Sequence, residues 1–222
     1  MTINQQATCS FTVTLAALRK AGACLGGYNK VVRALQGLPF TSEDSKRNSY
    51  IRFKHEGPIS LLSILDSNGF DDALWALRCV PEVDRDARLY AVACARQVQS
   101  LMTDPRSLEA LKVVERFANG EATQEELDAA WNATQNARNA AQAAWHTAGT
   151  AAWHAARAAW HAAGAALPHA GVAAGAAAWN AAWAVRDAAW HADREAWHAA
   201  GTSQKGLFID MCNGKAPWQE NP

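Results

Sequence analysis

The chain has 222 residues with 21 basic and 21 acidic side chains, so its formal charge is zero. That balance excludes a broad electrostatic attraction to nucleic acid or anionic lipid, and it equally excludes an acidic nucleic-acid mimic. Half of the residues are hydrophobic, but fifty are alanine. Larger apolar side chains therefore make up little more than a quarter, which is still enough to build a core in a chain of this length.

The start, MTINQQATCS, has neither a basic region nor an apolar run. The five cysteines, Cys9, Cys24, Cys79, Cys94 and Cys212, are odd in number and contain no C-x-x-C. They read as free thiols and, with that start, point to a reducing cytoplasm. TLAALRKAGA and YNKVVRALQ predict two short helices, Leu38 to Pro58 a polar surface loop, and YIRFKH a short alternating strand. Pro58 suits the first turn of a helix over ISLLSIL, ended by Asn68 and Gly69. Asp71 then opens DALWALRCV, which stops before Pro81. Asp84 is placed to cap RDARLYAVACARQVQSLM. Asp104 with Pro105 starts RSLEALKVVERFA, closed by Asn119 and Gly120, and Thr123 with Glu126 forms a capping box before a very long helical run. Residues 1–57 thus read as an N-terminal helical and loop segment, and 58–122 as a central helical bundle.

From Ala129 to Ala200, 34 of 72 residues are Ala and eight are Trp. The repeat is W-[HN]-A-A-x-A-A, and a period of seven means helix. Trp131, Trp145, Trp153 and Trp160 fall in a stripe roughly 80 degrees wide, and Trp179, Trp183, Trp190 and Trp197 in one roughly 40 degrees wide. Pro168, between Gly164 and Gly171, interrupts the run, which predicts arms over 124–167 and about 170–200 folded as an antiparallel hairpin with Trp153 level with Trp183. The predicted class is all-α: a small N-terminal and central bundle, then a long Ala/Trp-rich hairpin over 123–201, then a tail over 202–222 packed on the bundle. The charge-free stretch 158–185 is no membrane span, because it is mostly Ala and carries His161, Pro168, His169 and Asn180. Large indoles set against alanine methyls make the Trp stripe a predicted core.

Polar residues flank each stripe: Asn132, Asn139, His146, His154 and His161 on the first arm, and Asn180, Asp187, His191 and His198 on the second. An exposed seam titrating near pH 6.5 is the simpler reading. Histidines seven residues apart rise by about 10.5 Å along a helix and cannot share an ion. Only a meeting across the hairpin, such as His146 with His191, brings two imidazoles together, so no metal is expected. Arg138 and Arg186 lie on the Trp faces, where a charge needs a partner: an aromatic face or Asp193. The alternative is a Trp-walled pocket anchored by these arginines for an anionic or planar ligand such as a nucleotide. The candidate binding residues are therefore Arg138, Trp145, His146, Trp153, Trp183, Arg186, Trp190, His191 and Asp193. No G-x-S-x-G, H-E-x-x-H, phosphate loop or G-x-G-x-x-G is present, so neither an enzyme nor a cofactor is expected.

The stretch LLSILDSNGFDDALWALRCVPEVDRDARLYAVACARQVQSLMTDPRSLEALKVVERFANGEATQEELDAAW, with the heptads after it, resembles a family of small tailed-phage proteins, through ALW-x-LR, RLYAV-x-CARQV and RFANGEAT. RSLEALKVVERFANGEATQEELDAA is more distantly similar to bacterial immunity-protein domains of the Imm-5-like type. The resemblance implies an all-helical protein in the host bacterial cytoplasm that binds and inhibits or neutralises a host defence or metabolic protein, and it assigns no functional residue. This chain has His or Asn after Trp where acidic residues are more usual in the phage pattern. Two alternatives stand beside it: a small-molecule or nucleotide sponge on the Arg/Trp face, and a structural or assembly protein that self-associates through its heptad stripes into a homo-oligomer.

Overall fold

Short polar side chains start the helices of this chain. Thr14 Oγ1 accepts from the Ala17 amide, Ser60 Oγ from Ser63, and Asp104 Oδ1 from Arg106, while Thr123 and Glu126 cap each other reciprocally. The computed structural model describes residues 9–143, 150–164, 173–192 and 194–219, and the protein is all-α. The only sheet among these residues is a two-stranded antiparallel pair, β1 (Thr12–Val13) and β2 (Ile59–Ser60). The eleven α-helices among them are α1 (Leu15–Lys20), α2 (Leu25–Leu35), α3 (Ser42–Ser45), α4 (Leu61–Asn68), α5 (Phe70–Ala76), α6 (Asp84–Arg96), α7 (Pro105–Ala118), α8 (Gln124–Ala143), α9 (Thr150–Gly164), α10 (Ala173–Ala192) and α11 (Arg194–Cys212).

Several local expectations are corrected. Pro58 does not open a helix: Ile59 and Ser60 pair with β1, and α4 starts behind Ser60. YIRFKH forms no strand, because its polar contacts go to side chains instead of a ladder: the Ile51 amide donates to Asn29 Oδ1 at 2.8 Å. The Leu38 to Pro58 segment is not wholly a surface loop. It holds α3, whose Asp44 is buried and is gripped by Arg33 at 2.7 Å and Arg47 at 3.1 Å. Gly69, at φ 94°, lets α5 begin at Phe70, one residue before Asp71. Asp84 is the first helical residue of α6 and not its cap, and the helix ends at Arg96.

The larger correction concerns the long arms. Trp131 and Trp160 stack with ring centroids 6.4 Å apart, and a Cβ on Gly164 would stand 3.4 Å from Trp131 Nε1. In one straight helix, 29 residues of separation would span about 44 Å. Residues 124–143 and 150–164 are therefore not one straight helix, and α8 lies against α9. The second arm is also divided: Gln204 Nε2 of α11 donates to the carbonyl of Ala182 in α10 at 3.1 Å, which requires a reversal near Ala192. Between them, α9 and α10 are antiparallel neighbours, with Arg157 against Asp187 and His154 against His191. Trp153 accordingly lies near the level of His191, not of Trp183. Pro168 and Gly171 lie outside the described residues.

One contiguous core runs from Phe11 through Leu61, Leu74, Tyr90, Leu111 and Leu127 to Phe208 and Met211. Phe208 meets Tyr90 and Phe70 edge-on, which locks α11 to α6 and α5. Within α9 and α10 the fully buried residues are Ala155, Ala158, Ala159, Ala162 and Ala163 with Ala181, Ala182, Ala184, Val185 and Ala188. None of the tryptophans with described side chains is buried, so the described part of the Trp stripe is a rim and not the predicted core. The reason is volume: helices that approach closely leave room between them for methyls only, and the indoles are displaced to the edges.

Candidate binding site

Two polar and aromatic clusters form along the edges of the α9 and α10 pair, and a third joins α10 to α5. The third is centred on Arg186, which is 6% exposed. Its Nη2 donates to Asp71 Oδ1 at 2.6 Å, and its guanidinium lies 3.9 Å from the centre of the Trp183 ring. Asp71 comes from the first turn of α5, and Gly201 of α11 leaves space beside the Arg186 stem, 3.8 Å from where a Cβ would sit. Sequence reasoning placed Asp193 in this role. Asp193 lies outside the described residues, and the partner seen is Asp71, 115 positions away. No local spacing signals such a pair.

Beyond Arg186 the surface continues into a small cleft of about 230 Å³, lined by Phe70, Arg186, Trp197, His198, Thr202 and Lys205. Trp197 stacks edge-on against Trp190 at 6.1 Å and against His198 at 4.7 Å. Trp190 is 49% exposed, one of two exposed large apolar side chains among the described residues. His191, Glu195 and His198, on the same stretch of chain, are also exposed.

Along the α9 edge, His154 stacks on His191 at 5.0 Å, and its Nδ1 lies 3.6 Å from Asp187 Oδ2. Asp187 also accepts from Arg157 at 3.2 Å, and Arg157 lies over the Trp153 ring at 5.3 Å. Burial pushes His154 down to about 4 against the pull of Asp187, with Arg157 and His191 adding to the decrease. His161 is also lowered to about 4, by burial first and then by Arg157 and Arg138. The expectation of a uniformly solvated seam is thus corrected: His191 and His198 are exposed, but His154 is only 8% exposed. His191 meets His154 instead of His146, which with Trp145 lies outside the described residues. No group of three or more His, Cys, Asp or Glu able to hold a metal occurs among the described residues.

At the α8 end, Arg138 lies 4.6 Å over Trp160, itself stacked on Trp131. The six predicted residues that are described therefore do not converge. Arg138 belongs to one cluster, Trp153 and His191 to a second, and Trp183 and Arg186 to a third, with Trp190 on the surface beside them. Sequence reasoning missed Asp71, Arg157 and Trp197 as members. Arg157 and Trp197 carried a readable signal, since Arg157 is four residues after Trp153 and Trp197 seven after Trp190. No helix among the described residues is long and apolar enough to cross a membrane. The chain matches no family model, no curated protein and no solved structure.

Proposed function

We propose that this protein acts by binding another protein, and that in the setting the phage resemblance implies it inhibits or neutralises a host bacterial protein, without catalysis. The observation that carries this reading is Trp190: a large indole nearly half exposed, braced from one side by Trp197, on a stretch where His191, Glu195 and His198 are exposed too. An aromatic anchor held rigidly within a polar surround is the usual composition of an energetic centre in a protein interface. The nucleotide-sponge alternative has less support, because Arg186 is engaged by Asp71 and Trp183, and Arg138 by Trp160.

The test is capture from bacterial lysate with the intact protein and with Trp190→Ser, alongside thermal melts with and without nucleotides. A stoichiometric protein retained by the parent and weakened tenfold or more by Trp190→Ser is the expected result. Nucleotide protection of the parent without a protein partner would favour the sponge, and self-retention alone the assembly reading.

A further inference from the structure

Cys9 and Cys212 lie at opposite ends of the sequence and meet in the fold. The Ser10 amide and hydroxyl both donate to the carbonyl of Cys212, at 3.1 and 3.3 Å, which fixes the residue after Cys9 to the last residue of α11. These two bonds place Cys9, one residue before Ser10, beside Cys212. Cys9 Sγ donates to the carbonyl of Phe11 at 3.2 Å, and the Leu61 amide at the start of α4 donates to the same carbonyl at 3.1 Å, so the sulfur lies beside the N-terminus of this eight-residue helix. Cys212 is fully buried behind it, whereas Cys9 is half-buried and opens onto a cleft of about 590 Å³ lined also by Ser60, Ser63, Asp66, Ile209 and Asn213. That volume admits a small organic molecule.

We propose that Cys9 and Cys212 form a redox-active dithiol, in which Cys9 takes up half of a low-molecular-weight disulfide from this cleft and Cys212 then closes an intramolecular Cys9–Cys212 bond. The ionised sulfur is the nucleophile in such exchange, and a helix N-terminus beside it favours that form. The neighbouring Cys212 thiol, against the upward push of burial and with nearby backbone amides adding, brings the Cys9 thiol down to about 6. Cys79 and Cys94, which have no such surroundings, are pushed up by burial to about 11 and about 12. In the first step Cys9 Sγ⁻ attacks one sulfur of the small disulfide, a mixed disulfide forms, and the other half leaves as a thiolate that takes up the proton released by Cys9. The Cys212 thiol is held protonated chiefly by the neighbouring Cys9 sulfur, and capping Cys9 removes that restraint. Cys212 then gives up its proton and attacks Cys9 Sγ, and the second small thiol leaves protonated. Two protein thiols are oxidised by two electrons, and one disulfide is reduced to two thiols. The new bond joins the segment before β1 to the end of α11.

Bis(2-hydroxyethyl) disulfide, a neutral probe unaffected by Asp66, tests the exchange on the full chain, with peptide mass mapping and thermal melting as readouts. The parent is expected to yield a Cys9–Cys212 linked peptide and a midpoint raised by several degrees over the reduced form. Cys212→Ala should stop at the mixed disulfide on Cys9, and Cys9→Ser should form neither product. A parent that accumulates the mixed disulfide at Cys9, or reacts only at exposed Cys24, overturns the proposal. Should Cys212→Ala not fold, iodoacetamide alkylation of the parent decides: the Cys9 rate should be half-maximal near pH 6. A rate still climbing through about pH 8.5, the ordinary thiol value, overturns it.

Discussion

Arg186 shows how a single cation is tolerated in an alanine-rich interior. Its side chain is 8% exposed, while its partner Asp71 is 51% exposed, so the pair joins a desolvated cation to an acid that still reaches water. The Trp183 face supplies the remaining stabilisation on the apolar side. Replacing Arg186 with Met removes both contacts and should destabilise the protein by about 1 to 3 kcal/mol in urea melts. A variant as stable as the parent would show that the charge is retained for a ligand. His154 gives the second test at this scale. The folded protein holds it neutral down to about pH 4, while the unfolded chain protonates near pH 6.5. The unfolded state therefore binds more protons between these values, so this contribution to stability is complete above about pH 6.5, falls as the pH drops towards 4, and is constant below. The thermal midpoint of the parent should fall more steeply across that window than that of His154→Gln, and equal slopes would remove His154 as the cause.

Among the elements, the helices and their caps were the legible part of the sequence. Asp104 with Pro105 and Thr123 with Glu126 act where the spacing placed them, because capping is settled within four residues. The division of each long arm was not legible. An alanine-rich heptad reads as one unbroken helix, and no proline separates the α8 sequence from that of α9. The position of the indoles was misread for a related reason: amphipathic periodicity identifies a face, but it does not say whether alanine or tryptophan occupies the centre of the contact. The buried alanines give this a direct test. Ala159 is 0% exposed, and Ala159→Leu adds a branched side chain where the neighbouring backbones leave space for a methyl. It should cost about 1 to 3 kcal/mol while leaving far-ultraviolet circular dichroism helical. If tryptophan formed the centre of the contact and alanine its rim, the same change would be close to neutral.

Across the whole molecule, the first and last described segments are joined. Ser10 is bonded to Cys212, and the tail that follows α11 returns to α6, where the Trp218 indole and Gln219 amide both donate to Asp86 Oδ1, at 2.9 and 2.8 Å. The candidate sites were illegible for the same reason that these closures were: Asp71 with Arg186, and Cys9 with Cys212, are brought together by the path of the chain and not by spacing along it. Pattern reading recovers what one helix decides alone, and these contacts depend on several.

The alanine contact between α9 and α10 has a further consequence. A surface of methyls is nearly smooth, and the sequence that forms it almost repeats every seven residues, so sliding one helix by about 10.5 Å along the other would restore much the same apolar contact. Packing of this kind binds the two helices without measuring their alignment. That task falls to side chains that do not repeat: Arg157 on Asp187 between the two helices, with Arg186 on Asp71 and Gln204 on the carbonyl of Ala182 fixing α10 against α5 and α11. These act as pins in an otherwise degenerate interface. Asp187→Ala with Gln204→Ala should therefore leave the helical content nearly intact while broadening the thermal transition, as several slipped alignments become populated together. A sharp, two-state melt in the double variant would mean that the methyl surface is less uniform than its repeat suggests.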